Sequence, residues 1–215
     1  MLTKLYLIRH GETEGAETKR YKGHIDVPLS DNGIMQVRAL SDYIAHSGGK
    51  GLKEIYSSDL SRAVKSAEII AEPLGLQPVI VKGLRERNFG VWEGMSFEEI
   101  EEQYPHDFKA WADNPVRFSP LKGETTVEVR DRAMKALDLI LEKNRGEEVA
   151  IVAHGGINRV ILCELLGIPL ENIFRIEQDF AAMNLIEFYD RYPIAKLINF
   201  RAQNSEPRAQ TKEYP

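Results

Sequence analysis

The sequence predicts a three-layer α/β domain in which a mostly parallel sheet lies between two layers of helices. Two continuous apolar runs, at residues 4–8 and 149–153, are typical of strands that are covered on both faces. Strand-like segments alternate with segments of helical spacing between residues 30 and 166. The chain has 215 residues, enough for one hydrophobic core of ordinary size.

After the strand at residues 4–8, the first half of the chain predicts two helices and two more strands. Apolar residues recur at helical spacing from residue 34 to residue 45, and the glycine pair at 48–49 ends this helix. Residues 54–56 predict a second strand, residues 60–71 a second helix and residues 78–81 a third strand. The N-cap residues expected are Ser30 or Asp31 for the first helix and Ser58 or Asp59 for the second.

The second half begins with a short helical cap. Ser96 and Glu99 have the spacing of a capping box, and residues 105–114 predict another short helix. Thr125 or Thr126 is expected to start a longer helix that ends at Gly146, before the strand at 149–153 and a helix at 156–166. Residues 184–189 and 195–200 predict two antiparallel strands joined by residues 190–193. We expect one domain over residues 1–200 and a mobile tail over residues 201–215.

The composition excludes several functional classes. With 28 Lys+Arg and 33 Asp+Glu the net charge is −5, which disfavours charge-driven binding to nucleic acid or to an anionic membrane surface. The single cysteine, Cys163, lies among apolar residues and fits a reducing compartment. No signal peptide or membrane span is predicted, so the expected location is cytoplasmic.

Two buried strands end in the same pattern of histidine followed by glycine. Arg9, His10 and Gly11 follow the first strand, and His154 with Gly155 follows the second. Ligands bind at the carboxyl ends of parallel strands, so both histidines are expected at one site. An arginine can hold two phosphate oxygens, a neutral imidazole can act as nucleophile or base, and the helix after Gly155 can present N–H groups to an anion.

Two further segments add charge to this expected site. Arg62 lies in the first turn of the helix after the second strand, where it can hold the same anion. The loop at residues 84–94 is rich in charge, glycine and aromatic residues, as functional loops often are. A carboxylate near the site could serve as general acid, and the sequence chemistry leaves Glu12, Glu86 and Glu93 open for this role.

These four segments, residues 9–13, 57–63, 86–94 and 154–156, together resemble the histidine phosphatase superfamily, which is also called phosphoglycerate mutase-like. The resemblance covers residues 2–200. It implies that His10 is a phosphorylated nucleophile, that Arg9, Arg62 and His154 bind the phosphate, and that Glu86 is the acid that protonates the leaving group. The same resemblance implies phosphomonoester hydrolysis without a metal or another cofactor.

The substrate side of the site departs from the family pattern in one place. Family members commonly have an asparagine six residues after the nucleophilic histidine, where this chain has Ala16. Gly23 still matches a position that lends a backbone N–H to the phosphate, and Gly155 is expected to bind it too. His24 is kept as a further substrate contact.

The resemblance leaves several functions open. Residues 89–94, in the loop that holds Glu86 (the acid loop, residues 84–94), and residues 174–188 look most like the α-ribazole phosphatases of cobalamin biosynthesis. The alternative is a cofactor-dependent phosphoglycerate mutase or a broad-specificity phosphatase. The short cap favours hydrolysis over the mutase reaction, and the presence of His10 disfavours a non-catalytic phosphate-binding module. The expected partner is a small phosphorylated metabolite, and a homodimer stays open.

The aromatic residues that could stack on a substrate ring, or only pack the cap, are Phe89, Trp92, Phe108, Trp111 and Phe118.

Overall fold

A six-stranded sheet organises residues 1–46 and 51–202, which are the residues that the computed structural model describes. The strands are β1 (Leu2–Arg9), β2 (Leu52–Ser57), β3 (Pro78–Ile80), β4 (Glu148–Ala153), β5 (Met183–Tyr189) and β6 (Tyr192–Phe200). Their order is β3-β2-β4-β1-β5-β6. The four strands from β3 to β1 are parallel, and β5 and β6 are antiparallel to their neighbours. The predicted α/β fold with a mostly parallel sheet is therefore confirmed.

Six α-helices in the described part of the chain accompany the sheet. They are α1 (Asp31–His46), α2 (Ser61–Ala71), α3 (Phe97–Gln103), α4 (Pro105–Asp113), α5 (Thr126–Lys143) and α6 (Gly155–Leu166). The short helices α3 and α4 form the predicted cap. The Ser96–Glu99 capping box is present, and Thr125 caps α5 through a second box with Glu128. Each of these boxes satisfies otherwise unpaired N–H groups of the first turn.

The alternation of side chains along the strands divides the core into two layers. On one face, Leu5 and Leu7 of β1 pack with apolar residues of α5 and α6. On the other face, Tyr6 and Ile8 pack with α1 and α2. Because β1 is covered on both faces, it is apolar at successive positions rather than at alternate ones.

Two local predictions are wrong, and others fall on residues that the structure does not describe. Neither Ser58 nor Asp59 caps α2, because Ser58 hydrogen-bonds His154 and Asp59 pairs with Arg85; Leu60 holds the cap position without a side-chain cap. The last connection is shorter than expected, since β6 begins at Tyr192 rather than at residue 195. The glycine pair at 48–49 and the tail residues 203–215 lie outside the described residues.

In the described part of the chain, no helix combines the length and the apolar character that a bilayer crossing requires.

Candidate active site

The two predicted histidines meet at the carboxyl edge of the central strands. Arg9, at the end of β1, is in register with Ala153 at the end of β4, and the backbone N–H of His10 donates to the Ala153 carbonyl at 3.0 Å. The next residues along both strands are therefore neighbours. The imidazole centroids of His10 and His154 are 5.1 Å apart in an edge-on arrangement.

A backbone carbonyl fixes the tautomer of His10. Its Nδ1 lies 2.7 Å from the Gly11 carbonyl oxygen, which can only accept, so Nδ1 carries the proton and Nε2 keeps its lone pair. Burial, followed by the charges of Arg9 and Arg62, lowers the pKa of His10 well below 6.5. His10 is therefore a neutral imidazole with a free lone pair at neutral pH.

A serine orients the second histidine. Ser58 Oγ lies 2.7 Å from Nε2 of His154 and also accepts from the Leu60 N–H. A serine hydroxyl can donate or accept, and when it donates to Nε2 the proton of neutral His154 lies on Nδ1. This Nδ1 is buried and has no partner among the described residues. His154 therefore presents an unpaired ring nitrogen beside His10.

Arg9 and Arg62 supply positive charge from two directions. Arg9 donates to the Gln178 carbonyl and lies 3.8 Å above the Phe180 ring centroid, while its buried Nε has no partner among the described residues. Arg62 is only 2 % exposed and donates to the carbonyl oxygens of Gly23 and Ile25. Burial lowers the pKa of Arg9 to about 10, so the group is still charged at neutral pH. Both guanidinium groups are thus held in fixed positions by backbone carbonyl oxygens.

Among the three candidate carboxylates, Glu86 lies nearest to this cluster of charge. Its oxygens accept from the backbone N–H groups of Gly156, at 2.9 Å, and Ile157, at 3.1 Å, in the first turn of α6. The negative charge of Glu86 also opposes the burial-driven lowering of the pKa values of both Arg9 and Arg62. The anion that the start of α6 holds in this structure is therefore a side chain of the protein itself.

The other two carboxylates have structural partners. Glu12 accepts from the Ser30 hydroxyl at the start of α1. Glu93 accepts from the backbone N–H groups of His24 and Phe89, which ties the acid loop to the segment at 23–24.

Glycines allow close contacts at three points of the site. A Cβ on Gly156 would lie 2.5 Å from Glu86 Oε1, and a Cβ on Gly23 would lie 2.1 Å from Glu93 Oε1. A Cβ on Gly155 would approach Arg9 Nε to 3.3 Å. Gly155 therefore permits the observed position of Arg9, whereas Gly156 permits that of Glu86.

His24 is less free than the sequence suggested. Its Nε2 lies 2.8 Å from the backbone carbonyl of Glu86, which accepts from it. Arg132 donates to the same carbonyl at 2.8 Å. His24 therefore helps to hold the acid loop.

Sequence reasoning missed two residues of the site. Ser58 was considered only as a helix cap. Lys22 was not considered, although its charge also lowers the pKa of His10. Its Nζ donates to the Thr13 hydroxyl and to the Glu14 carbonyl, and no carboxylate of the described residues lies within 4.0 Å of it. The sequence feature that could have indicated Lys22 is its position directly before Gly23, a predicted phosphate contact.

An apolar cavity adjoins the acid loop beneath the cap helices. It is lined mainly by apolar and aromatic side chains and is open to solvent. Gly156 and Arg87, whose backbone N–H groups both donate to Glu86, belong to its lining. Of the five aromatic residues predicted for a pocket, Phe89, Trp92, Phe108 and Trp111 line it, and Phe118 stacks on Trp92 from outside the lining.

Among the described residues, those around His10 and His154 form no cluster of metal ligands. Over residues 1–46 and 51–202, no three His, Cys, Asp or Glu side chains are grouped so that they could hold a metal ion.

Comparison with known proteins agrees with the geometry of the site. Residues 5–201 match the family model of the histidine phosphatase superfamily, branch 1. The chain is 30% identical over 205 residues to phosphoserine phosphatase 1 of Hydrogenobacter thermophilus, covering 95% of this chain and 96% of the relative. It is 33% identical over 176 residues to a glucosyl-3-phosphoglycerate phosphatase of Mycolicibacterium vanbaalenii, covering 79% and 76% respectively.

A solved structure shows the same architecture over nearly the whole chain. The α-ribazole phosphatase of Shigella flexneri superposes with a TM-score of 0.84 at 25% identity, covering 95% of this chain and 100% of that one. The family match, the relatives and the fold all lead to one assignment: the chain is a phosphatase that belongs to the histidine phosphatase superfamily.

Proposed function

We propose that this phosphatase hydrolyses small phosphomonoesters through a covalent phosphohistidine on His10. The observation that carries the proposal is the hydrogen bond from His10 Nδ1 to the Gly11 carbonyl. It fixes the tautomer that a nucleophile requires, with the lone pair on Nε2. The lowered pKa of His10 keeps this lone pair unprotonated at neutral pH.

Five residues bind the transferred phosphoryl group in this proposal. Arg9 and Arg62 neutralise its charge, and Arg9 Nε and His154 Nδ1, which have no partner among the described residues, donate to its oxygens. The backbone N–H groups of Gly23 and Gly155 are expected to add two more contacts. Because these groups are held in place beforehand, they stabilise the charge that spreads over the equatorial oxygens without a further cost of reorganisation.

Glu86 acts as the general acid of the first step. His10 Nε2 attacks phosphorus, the bond from phosphorus to the ester oxygen breaks, and Glu86 gives its proton to the departing oxygen. In this proposal Glu86 carries the proton before transfer and is a carboxylate after it.

The second step reverses the role of Glu86. As a carboxylate it takes a proton from water, the water oxygen attacks phosphorus, and the bond from phosphorus to His10 breaks. Inorganic phosphate leaves, His10 regains its lone pair and Glu86 is again protonated. No outside reactant other than water is needed.

The covalent step is tested by trapping. The enzyme is mixed with a phosphomonoester, denatured in alkali and analysed by peptide mass spectrometry, and we expect one added phosphoryl group on the peptide that contains His10. His10→Ala should show neither the adduct nor turnover. His106→Ala, which changes an exposed histidine of α4, is the matched control. Turnover by His10→Ala at the wild-type kcat would refute the proposal.

For the physiological substrate we retain α-ribazole 5′-phosphate, whose benzimidazole ring suits the aromatic cavity beside Glu86. A similar solved structure carries the name α-ribazole phosphatase, whereas a similar relative is named phosphoserine phosphatase. The unpaired charge of Lys22 near the site favours the second candidate, because phosphoserine carries a carboxylate. A panel of α-ribazole phosphate, phosphoserine, phosphoglycerates and nucleotides, ranked by kcat/KM, separates these substrates. A tenfold or greater preference for phosphoserine would exclude the α-ribazole role.

A further inference from the structure

Residues 176–182, which we call the covering segment, lie against the end of β1. The Arg9 N–H donates to the Ala182 carbonyl at 2.9 Å, and the Ala181 N–H donates to the His10 carbonyl at 3.0 Å. Ala181 has a φ of 53°, in the left-handed region that residues other than glycine rarely adopt. Such strain persists only where the surrounding contacts enforce it, and here it lies directly beside the proposed nucleophile.

A buried pair of amides fixes the middle of the covering segment. Gln178 and Asn184 are both fully buried, and each side-chain amide donates to the carbonyl oxygen of the other, at 2.9 and 2.8 Å. Asn184 also donates to the Leu7 carbonyl of β1. Because a fully paired buried network is rigid, the Gln178 backbone carbonyl that accepts from Arg9 is held in place.

A contact from β6 fixes the next residue of the covering segment. Asn199 accepts from the Asp179 N–H at 2.7 Å and donates to the Asp179 carboxylate at 3.1 Å. Asn199 also has a φ of 53°. The residue directly before Phe180 is therefore tied to the sheet through both its backbone and its side chain.

The half-buried ring of Phe180 lies against two residues of the site. Arg9 Cζ is 3.8 Å from the Phe180 ring centroid, and the His10 imidazole centroid is 5.8 Å from it in a tilted arrangement. The negative face of an aromatic ring attracts a guanidinium group, and exclusion of water strengthens this attraction. The Gln178 carbonyl thus holds one nitrogen of Arg9, and the Phe180 ring covers one face of the guanidinium.

We propose that Phe180 is a positioning residue, whose ring holds the Arg9 guanidinium by stacking in the orientation that binds the phosphoryl group. The covering segment is the support that keeps this ring in place. The inference rests on the proposed phosphomonoesterase function and adds to it a residue that acts through Arg9.

The first test measures the binding of inorganic phosphate by calorimetry, which needs no turnover. Phe180→Leu keeps an apolar side chain and removes the aromatic face, so the dissociation constant of phosphate should rise about fivefold. Phe180→Tyr keeps the face and should stay within about twofold of wild type. Phe188→Leu makes the same change at a buried ring near the far end of β5 and should leave the affinity unchanged.

Three results of this test would overturn the inference. They are an affinity of Phe180→Leu equal to that of wild type, an equal loss in Phe180→Leu and Phe180→Tyr, and a loss of the same size in Phe188→Leu.

A double-mutant cycle shows whether Phe180 acts through Arg9. Measured as kcat/KM for nitrophenyl phosphate, Phe180→Leu should cost about fivefold in the wild-type background. In an Arg9→Met background the same change should cost less than about twofold, because the stacked group is already missing. Equal losses in the two backgrounds would contradict a role of the ring through Arg9.

Asn199→Gly tests the support of the ring. Glycine adopts a φ of 53° without strain, so this variant keeps the backbone and removes the two side-chain bonds to Asp179. The dissociation constant of phosphate should rise about threefold. An unchanged value would refute the role of the covering segment.

The binding and turnover results also separate this inference from the proposed function. Weaker phosphate binding by Phe180→Leu, together with no turnover of any phosphomonoester by the wild type, would contradict the function and leave the positioning role standing. Normal turnover with equal phosphate affinities would leave the function standing and overturn the positioning role.

Discussion

The backbone N–H of Gly156 donates to Glu86 Oε2 at 2.9 Å, and a Cβ at Gly156 would lie 2.5 Å from the other oxygen of the same carboxylate. The start of α6 thus holds the proposed acid directly against its first turn. The partial positive charge of a helix N-terminus stabilises a carboxylate in this position. The absence of a side chain at Gly156 therefore allows the observed position of Glu86, the proposed proton donor.

Gly156→Ala should displace Glu86 and slow the step in which the leaving group is protonated. We expect kcat to fall about tenfold to hundredfold with alkyl phosphates and much less with nitrophenyl phosphate, whose leaving group needs no proton. The measurement is kcat for a series of esters of graded leaving-group acidity, with Glu86→Gln as reference.

Gly155→Ala is the matched control for this prediction. Its Cβ would approach Arg9 rather than Glu86, so its loss of rate should be similar for all leaving groups. A loss with Gly156→Ala that is independent of the leaving group would show that the carboxylate acts otherwise.

Lys22→Met should raise the pKa of His10, because Lys22 is one of the positive charges that lower it. A protonated His10 cannot attack phosphorus, so the acidic limb of the kcat/KM profile should move to higher pH. Lys19→Met makes the same change of charge at an exposed position of the same loop and should leave the limb in place. Identical profiles for the two variants would contradict the role of Lys22.

Ser58→Ala removes the hydroxyl that donates to His154 Nε2 at 2.7 Å. His154 then loses the hydrogen-bond partner that orients its ring, and phosphate affinity should fall. We expect kcat/KM to fall about tenfold. The inhibition constant for inorganic phosphate should rise by a similar factor. Ser57→Ala is the control, since the Ser57 hydroxyl donates to a backbone carbonyl instead. Unchanged inhibition by phosphate in Ser58→Ala would refute this positioning role.

The stability of the protein should fall as the pH drops below about 6.5. Burial lowers the pKa of both His10 and His154 well below their ordinary value of 6.5. The unfolded chain therefore binds more protons than the folded chain between the folded and unfolded pKa values, and acid favours unfolding. The effect reaches at most about 1.4 kcal/mol per pH unit for each histidine, and it is absent above the unfolded pKa.

Urea unfolding at neutral pH and at about one unit below 6.5 measures this dependence. His154→Gln should reduce the loss of unfolding free energy, whereas His106→Gln, at an exposed position, should not. The same pH dependence in wild type and His154→Gln would contradict the assigned cause.

Much of the fold could be read from local patterns. The apolar runs of β1 and β4 indicated buried central strands, and the capping box at Ser96 indicated the start of α3; both predictions are confirmed. The cap of α2 could not be read in the same way. Ser58 was a plausible cap by its type, but its hydroxyl meets His154, a residue 96 positions away.

Some residues of the site could likewise be predicted from local patterns, and others could not. Repetition of histidine and glycine after two strands placed His10 and His154 together, because parallel strands end at one edge of a sheet. The choice among three glutamates could not be made from chemistry alone, since all three lie near glycine-rich or charged segments. Only the packing of the acid loop on α6 places Glu86 against the first turn of that helix, whereas Glu12 and Glu93 have their partners in other segments.

The sequence by itself determined the α/β class, the central strands and the chemical types gathered at their ends, because periodicity and residue type act over a few positions. The tertiary structure alone decided the contact between Ser58 and His154, the position of Glu86 and the unpaired charge of Lys22 near His10. It also decided that the aromatic residues of the cap surround a cavity. These features depend on contacts between distant segments, and no local pattern encodes which atoms will meet across them.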